Sequence, residues 1–550
     1  MKKNTAKFFL LLVITLSIST IAQTSRTFSG TLITKDNKAA ANVKIYAGTS
    51  EAITDEQGNF SLKLAENTTR LRIEGKNVIS KEIAIRPDEN NLLIQIEYTI
   101  PPIHDGLVIE ATALEPGIER RDEAIYKNTL FSRDDQVFHT LNAGINAGQH
   151  EGGGKSLEIR RFGFNLDHGG VNGGLKVLVD NVQQNQGTQG HGQGYLGQLK
   201  SLTPELVQDV NIINGPFSAE YGDFSGLGVV HIRLRESLND QLTARVQGGS
   251  FNTYRHFLGY SPHLENGNAF VAYELSSSDG PFKNPLNYRR DNFTGNYTWK
   301  MTDRRALGFR FTAGSNNFFS SGQIPLDEVA AGRLDRFGFI DPENGGRVKS
   351  GVGSLYFRNE FADGSSFKVD GFVSRSLFDL FSNFTFFAAD ENYGDEIQQH
   401  DSRLQQGVNA QYLKPFEILG NHSLFTAGAN YHDNQINVGL YPSIGRVPNR
   451  ALFTPDALVT KANARVTNTA GYVQQSINLW QGRLHLDGGL RFDYFRFDVR
   501  DRVQPDFSGV QGASRFQPKA NVAFTPSLKI PATLYFNYGR GISSQDARGV

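Results

Sequence analysis

The sequence predicts a mainly β protein whose larger part is a transmembrane antiparallel β-barrel. Residues 483–494 alternate most clearly, with Leu490, Phe492 and Tyr494 on one face and Arg491 and Asp493 on the other. A tilted membrane strand needs about 9–11 residues, whereas strands of soluble sheets average about 5–6. The mean hydropathy of -0.38 agrees with a barrel, because polar lumen-facing residues offset the apolar lipid-facing ones.

Charge and cysteine content narrow the class further. The 550 residues carry a formal net charge of +0, which gives no indication of a nucleic-acid partner. The chain has 0 cysteines, which excludes disulfides and thiolate metal sites. The histidines start no H-x-x-E or H-E-x-x-H zinc motif, and no phosphate-binding G-x-x-x-x-G-K-[ST] motif is present. We therefore expect no enzyme activity, no cofactor and no bound metal.

Residues 1–22 have the features of a secretory signal peptide. Lysines precede an apolar run from Phe8 to Ile18, which has the length of a signal-peptide core. A membrane anchor helix, the alternative, needs about 20 apolar residues. Small residues up to Ala22 predict cleavage before Gln23. The protein is therefore expected to leave the cytoplasm.

Residues 23–98 predict a small β-sandwich, because short alternating runs are separated by turn residues. The segment GTLITKDNKAAANVKIYAGTSEAITDEQGNFSLKL resembles the carboxypeptidase regulatory-like domain. The most recognisable positions of that resemblance are Thr54, Asp55, Gly58, Phe60, Leu62 and Leu64. The resemblance implies a spacer or interaction module and no peptidase chemistry.

Residues 115–237 contain, in order, segments similar to a VDGV strand, a GP.SalYG segment and a GGvInI strand. The matching residues are Val179, Asp180, Gly215, Pro216, Tyr221, Gly222 and Gly228. This pattern resembles the α/β plug domain of TonB-dependent outer-membrane transporters, so these residues are expected to form such a domain. Asn181, Leu227 and His231 depart from the pattern, which leaves the fold expectation intact and makes the substrate harder to infer.

The linker, residues 99–114, contains Pro101-Pro102, which block a helix and stiffen the chain. The resemblance implies a TonB box within it, at Leu107, Val108, Ile109, Glu110 and Ala111. A short extended segment can add to the sheet of a partner through main-chain hydrogen bonds. The alternative is that these residues form the first strand of the plug.

Three histidines of the plug, His150, His168 and His191, are candidate ligand contacts. They lie among glycines and amides, and glycine-rich loops can reach up a lumen towards an external ligand. The alternative is that they are solvated loop residues, since no pair has metal-site spacing.

Residues 238–550 are expected to form the barrel. The polar segments Gly314–Ser350, Asp433–Asn463 and Arg500–Ser514 would face outside, and Thr302–Arg304 and Ala362–Ser365 would be periplasmic turns. We count about 14 candidate strands, whereas a plugged barrel of the 22-stranded type needs 22. We therefore expect that about eight strands, roughly 180 residues, are missing from this chain.

The resemblance implies a TonB-dependent outer-membrane receptor in the Gram-negative envelope, surrounded by outer-membrane lipid. Its partner would be the TonB-ExbB-ExbD complex, and its extracellular ligand a siderophore, metal chelate, cofactor or oligomeric nutrient. The main alternative is a non-transporting surface or adhesin barrel. A periplasm-facing enzyme is a weaker one, because no nucleophile–base pair stands out.

Overall fold

The computed structural model describes residues 25–96 with short gaps, 118–122, 145–149, 155–159, 174–190, 196–239, 241–448, 460–480, 482–526 and 532–549. The chain divides into two compact units, Met1–Pro101 and Pro102–Val550. Within the described residues, no helix has the length and apolar character needed to cross a bilayer.

The first unit contains two β-sheets that share one apolar core. One sheet has the strand order β4-β1-β7 and the other β3-β2-β5-β6. The core takes buried side chains from both sheets, such as Phe28, Phe60 and Ile45. The strands are β1 (Ser25–Thr34), β2 (Lys44–Ala47), β3 (Ser50–Ile53), β4 (Asn59–Ala65), β5 (Arg70–Glu74), β6 (Lys81–Ala84) and β7 (Asn91–Ile96).

The TDxxG segment forms the turn that leads into β4. The buried Thr54 hydroxyl donates to the Ala40 carbonyl at 2.6 Å and accepts from the Val43 amide at 2.9 Å. Asp55 Oδ1 accepts from the Asn59 amide at 2.8 Å, which closes the turn. Gly58 has φ +79, and a Cβ there would meet a backbone oxygen at 2.4 Å, so the turn requires glycine.

The plug sheet, as we call the five-stranded sheet of the second unit, has the order β12-β11-β14-β13-β8. Its central strand β14 is buried at every position, and its core includes Val177, Ile212, Val230 and Ile232. Two 3₁₀ helices, Gly197–Ser201 and Pro204–Leu206, precede β13. The strands are β8 (Ile118–Asp122), β11 (Leu175–Val179), β12 (Val182–Gln183), β13 (Val207–Asn214) and β14 (Gly228–Leu234), with a separate hairpin of β9 (Ile145–Gln149) and β10 (Lys155–Ile159).

A 14-stranded antiparallel sheet, here called the wall, follows. Its first and last strands are not paired with each other in the described residues, but both ends contact plug residues, so the wall curves around the plug sheet. The strands are β15 (Leu242–Gly249), β16 (Thr253–Tyr260), β17 (Gly267–Ser278), β18 (Tyr288–Thr302), β19 (Arg305–Phe319), β20 (Gly345–Glu360), β21 (Ser366–Ser382), β22 (Ile397–Ile418), β23 (Asn421–Ile444), β24 (Val447–Pro448), β25 (Thr460–Leu479), β26 (Leu484–Asp501), β27 (Gly509–Phe524) and β28 (Leu534–Gly539).

The expected alternation is confirmed in the wall. On β26, Leu490 and Tyr494 are 43% and 45% exposed on the outside, whereas Arg491 and Asp493 are buried inside. On β19, Phe309 and Phe311 are exposed and Arg310 is buried between them. The outward apolar and inward polar residues match a membrane barrel with a hydrophilic lumen.

The links between strands are long at one end of the wall and mostly short at the other. The links at the long-loop end include 320–344, with helix α1 (Leu326–Ala330), 383–396, the start of the segment after β23, which contains β24, and 502–508. The short-turn end includes 303–304, 361–365, 419–420 and 480–483.

The three predicted loops lie at the long-loop end, but their predicted ranges are longer than the observed loops. Strands continue into all of them, since β19 runs to Phe319 and β23 to Ile444. The link 383–396 was not anticipated. Beyond the bilayer, lipid no longer selects apolar outward residues, so the alternation fades while the hydrogen-bonded ladder continues.

Candidate functional site: the interface between plug and wall

Several plug motif residues lie at or beside the ends of the plug strands, and the others lie in the link between β13 and β14. Val179 ends β11, Gly228 starts β14, and Gly215 follows β13. Gly228 has φ +153, and a Cβ there would lie 2.5 Å from the Ile213 carbonyl oxygen. The glycine therefore permits the start of β14 to lie close against the end of its antiparallel neighbour β13.

Asp180 links the plug sheet to the wall. Its backbone has φ 51, in the left-handed region that aspartate tolerates better than most residues. One carboxylate oxygen accepts from the Leu234 amide at 3.0 Å, and the other forms an ion pair with Arg310 of β19. Arg310 also donates to the Arg235 carbonyl at 2.6 Å, so one guanidinium holds two plug segments.

Glu205, in the second 3₁₀ helix, forms a second ionic link. Its carboxylate pairs with Arg255 at 2.6 Å and with Arg245 at 3.0 Å. Arg255 also pairs with Glu274 at 2.5 Å, and Glu274 accepts from the Thr203 hydroxyl at 2.9 Å. These groups are nearly all buried, so each charge depends on its partners for compensation.

Two further contacts hold the plug, one near the short-turn end of the wall and the other near its long-loop end. Glu236, just after β14, pairs with Arg358 near the end of β20 at 2.5 Å. Lys200 donates to Asn316 at 3.1 Å, and its ammonium lies 4.9 Å from the centroid of the Phe318 ring. Plug contacts with β15–β20 therefore extend from the long-loop end to the short-turn end.

Gly222 lies against strand β26 of the wall, and the Tyr221 hydroxyl lies 3.4 Å from Nδ1 of His231. A Cβ on Gly222 would lie 2.4 Å from the Arg491 guanidinium, so glycine allows this side chain to reach the plug backbone. Arg491 donates to the Glu220 carbonyl at 2.8 Å and pairs with Asp493 at 2.6 Å. The contact to the plug is thus to a neutral carbonyl group.

A cavity of about 110 Å³ lies between the plug and strands β21–β26. Its lining is mixed, and the charged groups in it include Lys176, Glu220 and Asp223 from the plug and Lys368 and Asp370 from β21. At about 10–15 Å³ of probe volume per water, it has room for several water molecules.

Burial shifts the pKa of several plug groups beside this cavity. Burial lowers the pKa of Lys176 to about 8, with the nearby Arg491 charge acting in the same direction. Burial also raises the pKa of Asp223 to about 6, and hydrogen bonds from Ser544 oppose this shift. The pKa of Glu220 is likewise raised by burial. On the neighbouring strand β14, burial lowers the pKa of His231 to about 4.

Several expected site residues lie outside the described residues. These are the TonB box, Leu107 to Ala111, and the three histidines His150, His168 and His191. Within the described part of the chain, no three His, Cys, Asp or Glu side chains are grouped to hold a metal ion.

Sequence reasoning missed the arginines of the wall. Arg255, Arg310, Arg358 and Arg491 all contact plug residues. A signal was available for Arg491, because the alternation of residues 483–494 already places it on the polar face. What the sequence does not give is which plug residue each arginine meets.

Comparison with known proteins agrees with this architecture. Residues 125–549 match the family described as TonB dependent receptor-like, beta-barrel. No curated protein matches the chain. The ferric citrate transporter FecA, unliganded, has a TM-score of 0.64 and 15% identity, over 80% of this chain and 66% of that one.

Two other solved structures have similar folds. The siderophore receptor PiuA from Acinetobacter baumannii has a TM-score of 0.61 and 14% identity, over 79% of this chain and 66% of that one. The copper transporter OprC has a TM-score of 0.56 and 13% identity, over 77% and 63%. The chain thus spans about two thirds of the length of these proteins, and the likeness shows the fold. The family match covers most of the chain, which therefore belongs to the TonB-dependent receptors, β-barrel proteins of the outer membrane.

Proposed function

We propose that this receptor imports a scarce extracellular ligand by a rearrangement of its plug that the TonB-ExbB-ExbD complex drives. The observation that carries the proposal is the plug sheet seated inside the wall and held there by the ion pairs of Asp180, Glu205 and Glu236. Family membership makes the chain a receptor and not an enzyme.

Ion pairs suit a plug that must block the lumen at rest and move during import. The carboxylates of Asp180, Glu205 and Glu236 each have an arginine partner in the resting state, so the plug stays in the lumen without an external force. Separating such a pair costs several kcal/mol, because each charge loses its compensation. The chain has no nucleotide-binding motif, so the work must come from a partner. In this proposal the partner pulls on the segment Leu107 to Ala111.

The proposed ligand is a siderophore or another metal chelate. The solved relatives are named as a ferric citrate transporter, a siderophore receptor and a copper transporter, which supports this class. Residues 23–98 are proposed to be a carboxypeptidase regulatory-like spacer on the periplasmic side. The outside end of the wall is the long-loop end, as is usual for such barrels.

The test uses Val108→Pro, which removes a backbone donor from the proposed TonB box and fixes φ. Losing two or three hydrogen bonds of about 0.5–1.5 kcal/mol each weakens docking of the partner by an order of magnitude or more. Cells carrying the variant should bind a radioactive iron chelate but not accumulate it.

Val108→Ala is the matched control, because it keeps the backbone donor and should retain uptake. Normal accumulation by Val108→Pro would contradict the position of the box. A strain lacking the receptor that grows normally on every iron chelate supplied would exclude that ligand class. A non-transporting adhesin predicts no difference between the two variants.

A further inference from the structure

The outer face of the wall has a shallow groove along strand β20, which we call the outer groove. Gly351 and Gly353 form its floor, because odd-numbered side chains of β20 point outwards, as the exposed Leu355 does. A Cβ on Gly353 would meet no atom within 4 Å, and one on Gly351 would meet only the Thr312 carbonyl oxygen, at 4.0 Å. The floor therefore faces open space.

Apolar side chains on the neighbouring strands border this floor. Gly353 lies opposite Phe311 of β19 on one side and opposite Val373 of β21 on the other, and both side chains are exposed. Gly371 of β21, which lies opposite Leu355, extends the floor, since a Cβ there would come no closer than 3.7 Å to any atom. The outer groove is thus an apolar depression in the lipid-facing surface.

The glycines of the floor differ from those that face the lumen. Glycine weakens a strand, and within one it often marks the close approach of another group. For lumen-facing glycines that group is a neighbouring side chain, since a Cβ on Gly308 or Gly407 would lie 2.1 Å from Tyr356 or 2.6 Å from Phe372. No described residue fills the corresponding space over the floor of the outer groove. It is therefore open to a molecule outside the chain.

Two cations lie at the end of the outer groove that is nearer the long loops. Arg375 of β21 is opposite Gly351, and Lys349 is the next outward residue of β20. Both side chains are exposed. Among the described residues, Lys349 has no hydrogen bond or ion pair, and the Arg375 side chain donates only to the Ser402 hydroxyl, at 2.8 Å. Both charges are therefore available to an external anion.

The nearby outward carboxylates already have cationic partners. Asp379, further along β21, pairs with Arg347 at 2.7 Å, and Asp291 of β18 pairs with Arg289 at 2.8 Å. The two cations of the outer groove thus give this part of the outer surface an excess of positive charge.

The height of these cations on the wall matches that of a lipid headgroup. From Lys349 to the end of β20 at Glu360 the strand is about 36 Å long, at about 3.3 Å per residue. A tilt of about 35–45° reduces this to a height of about 25–30 Å, close to that of the apolar band of such barrels. Because Glu360 lies at the short-turn end, Lys349 lies at the opposite boundary of the band.

We propose that the outer groove binds a phosphorylated membrane lipid, with its phosphate held by Lys349 and Arg375 and one acyl chain lying over Gly351 and Gly353. Arginine and lysine are the side chains that proteins use to bind phosphate. The apolar floor and its borders suit a hydrocarbon chain, which also fills the open space. The site lies on the lipid side of the wall, so this proposal does not depend on the proposed import function.

Native mass spectrometry of the full chain in a neutral detergent tests the proposal. The probes are dioleoyl phosphatidic acid, dioleoyl phosphatidylcholine and inorganic phosphate. We expect one phosphatidic acid to be retained per chain, with a dissociation constant about tenfold lower than that of phosphatidylcholine, as one charge-assisted hydrogen bond implies. Inorganic phosphate, which lacks acyl chains, should not compete at equal concentration.

The double variant Lys349→Gln with Arg375→Gln should lose this preference for phosphatidic acid. Lys461→Gln with Arg500→Gln is the matched control, because it removes two exposed cations from β25 and β26, away from the outer groove. Lys349→Arg with Arg375→Lys keeps both charges and should retain the preference, which guards against a variant that fails to fold.

Gly353→Leu fills the floor without changing a charge and should weaken retention of phosphatidic acid about tenfold. Gly488→Leu is its control, since a Cβ at this position of β26 also meets no atom within 4 Å. Equal retention of the two lipids, or an unchanged preference in Lys349→Gln with Arg375→Gln, would overturn the phosphate site. A complex of two chains that Gly353→Leu abolishes would show that a second copy covers the outer groove, and would overturn the lipid.

Discussion

Asp180 of the plug and Arg310 of the wall form an ion pair in which both side chains are largely buried, at 14% and 6% exposure. Asp180 closes the turn after β11, so the pair joins the plug motif directly to strand β19. A buried ion pair contributes little net stability when intact, but a single unpaired partner is costly. The pair therefore acts mainly by raising the free energy that is needed to displace the plug.

Asp180→Asn should loosen the plug. It leaves Arg310 buried without its ionic partner, and breaking a buried pair in this way costs about 3–5 kcal/mol. We expect proteolysis of the plug in outer-membrane preparations to begin at lower urea concentration. Arg333→Gln is the control, since its pair with Glu328 lies on an exposed loop, with side chains 65% and 35% exposed. If the two variants behave alike, the pair with Arg310 does not hold the plug.

Gly228→Ala should destabilise the plug sheet. The added Cβ would lie 2.5 Å from the Ile213 carbonyl oxygen, and the residue has φ +153. The strands must separate or the backbone must change, which costs about 1–3 kcal/mol. Gly226→Ala is the matched control, because a Cβ there meets no atom within 4 Å. The urea midpoint of plug proteolysis measures both, and an unchanged midpoint in Gly228→Ala would contradict the assigned close approach.

The stability of the plug should depend on pH through two groups, Asp223 and His231, whose contributions change with pH in opposite directions. The pKa of Asp223 is raised from 3.8 to about 6, so its stabilising contribution is present below pH 3.8 and is lost as the pH rises to about 6. The pKa of His231 is lowered from 6.5 to about 4, so its contribution is lost as the pH falls from 6.5 to about 4. Shifts of this size correspond to about 3 kcal/mol each.

Single variants should separate these two contributions. In Asp223→Asn, stability of the plug should rise with pH between 4 and 6.5 more steeply than in the parent. In His231→Gln it should instead fall over the same interval. The measurement is the urea midpoint of plug proteolysis at several pH values. Parallel curves for parent and variants would show that neither group titrates in this window.

Removal of residues 115–237 should open the lumen. The inner face of the wall is polar, so an unplugged wall should pass small solutes without selectivity. Sensitivity of cells to large antibiotics and conductance in planar bilayers measure this. The control is Arg333→Gln, which leaves the plug in place. Unchanged conductance after the deletion would mean that the plug does not occlude this lumen.

The sequence predicted the wall well, because lipid outside and water inside impose a period of two that survives without any knowledge of the fold. The outward Leu490 and the inward Arg491 were assigned correctly for this reason. The plug motif was found through its resemblance. The structure gives physical roles to two of its residues, Asp180 in the turn after β11 and Gly228 in the close approach of β13 and β14.

The partners across the interface could not be predicted. Asp180 and Arg310 are 130 positions apart, and which lumen-facing arginine meets which plug carboxylate depends on the register of all the strands between them. The cavity could not be predicted for the same reason. Its lining combines residues of plug and wall strands, and alternation does not show which of these lie side by side. The histidines His150, His168 and His191 stay a prediction.

Strands β22 and β23, with 22 and 24 residues, are far longer than a bilayer crossing requires. At about 3.3 Å per residue β23 is about 80 Å long, and even with a 45° tilt it spans well over the roughly 30 Å of hydrocarbon. The surplus extends these two strands beyond the hydrocarbon, where the ladder between β22 and β23 continues without a break. There the sheet stands in water, so its own main-chain hydrogen bonds hold it and not the surrounding lipid.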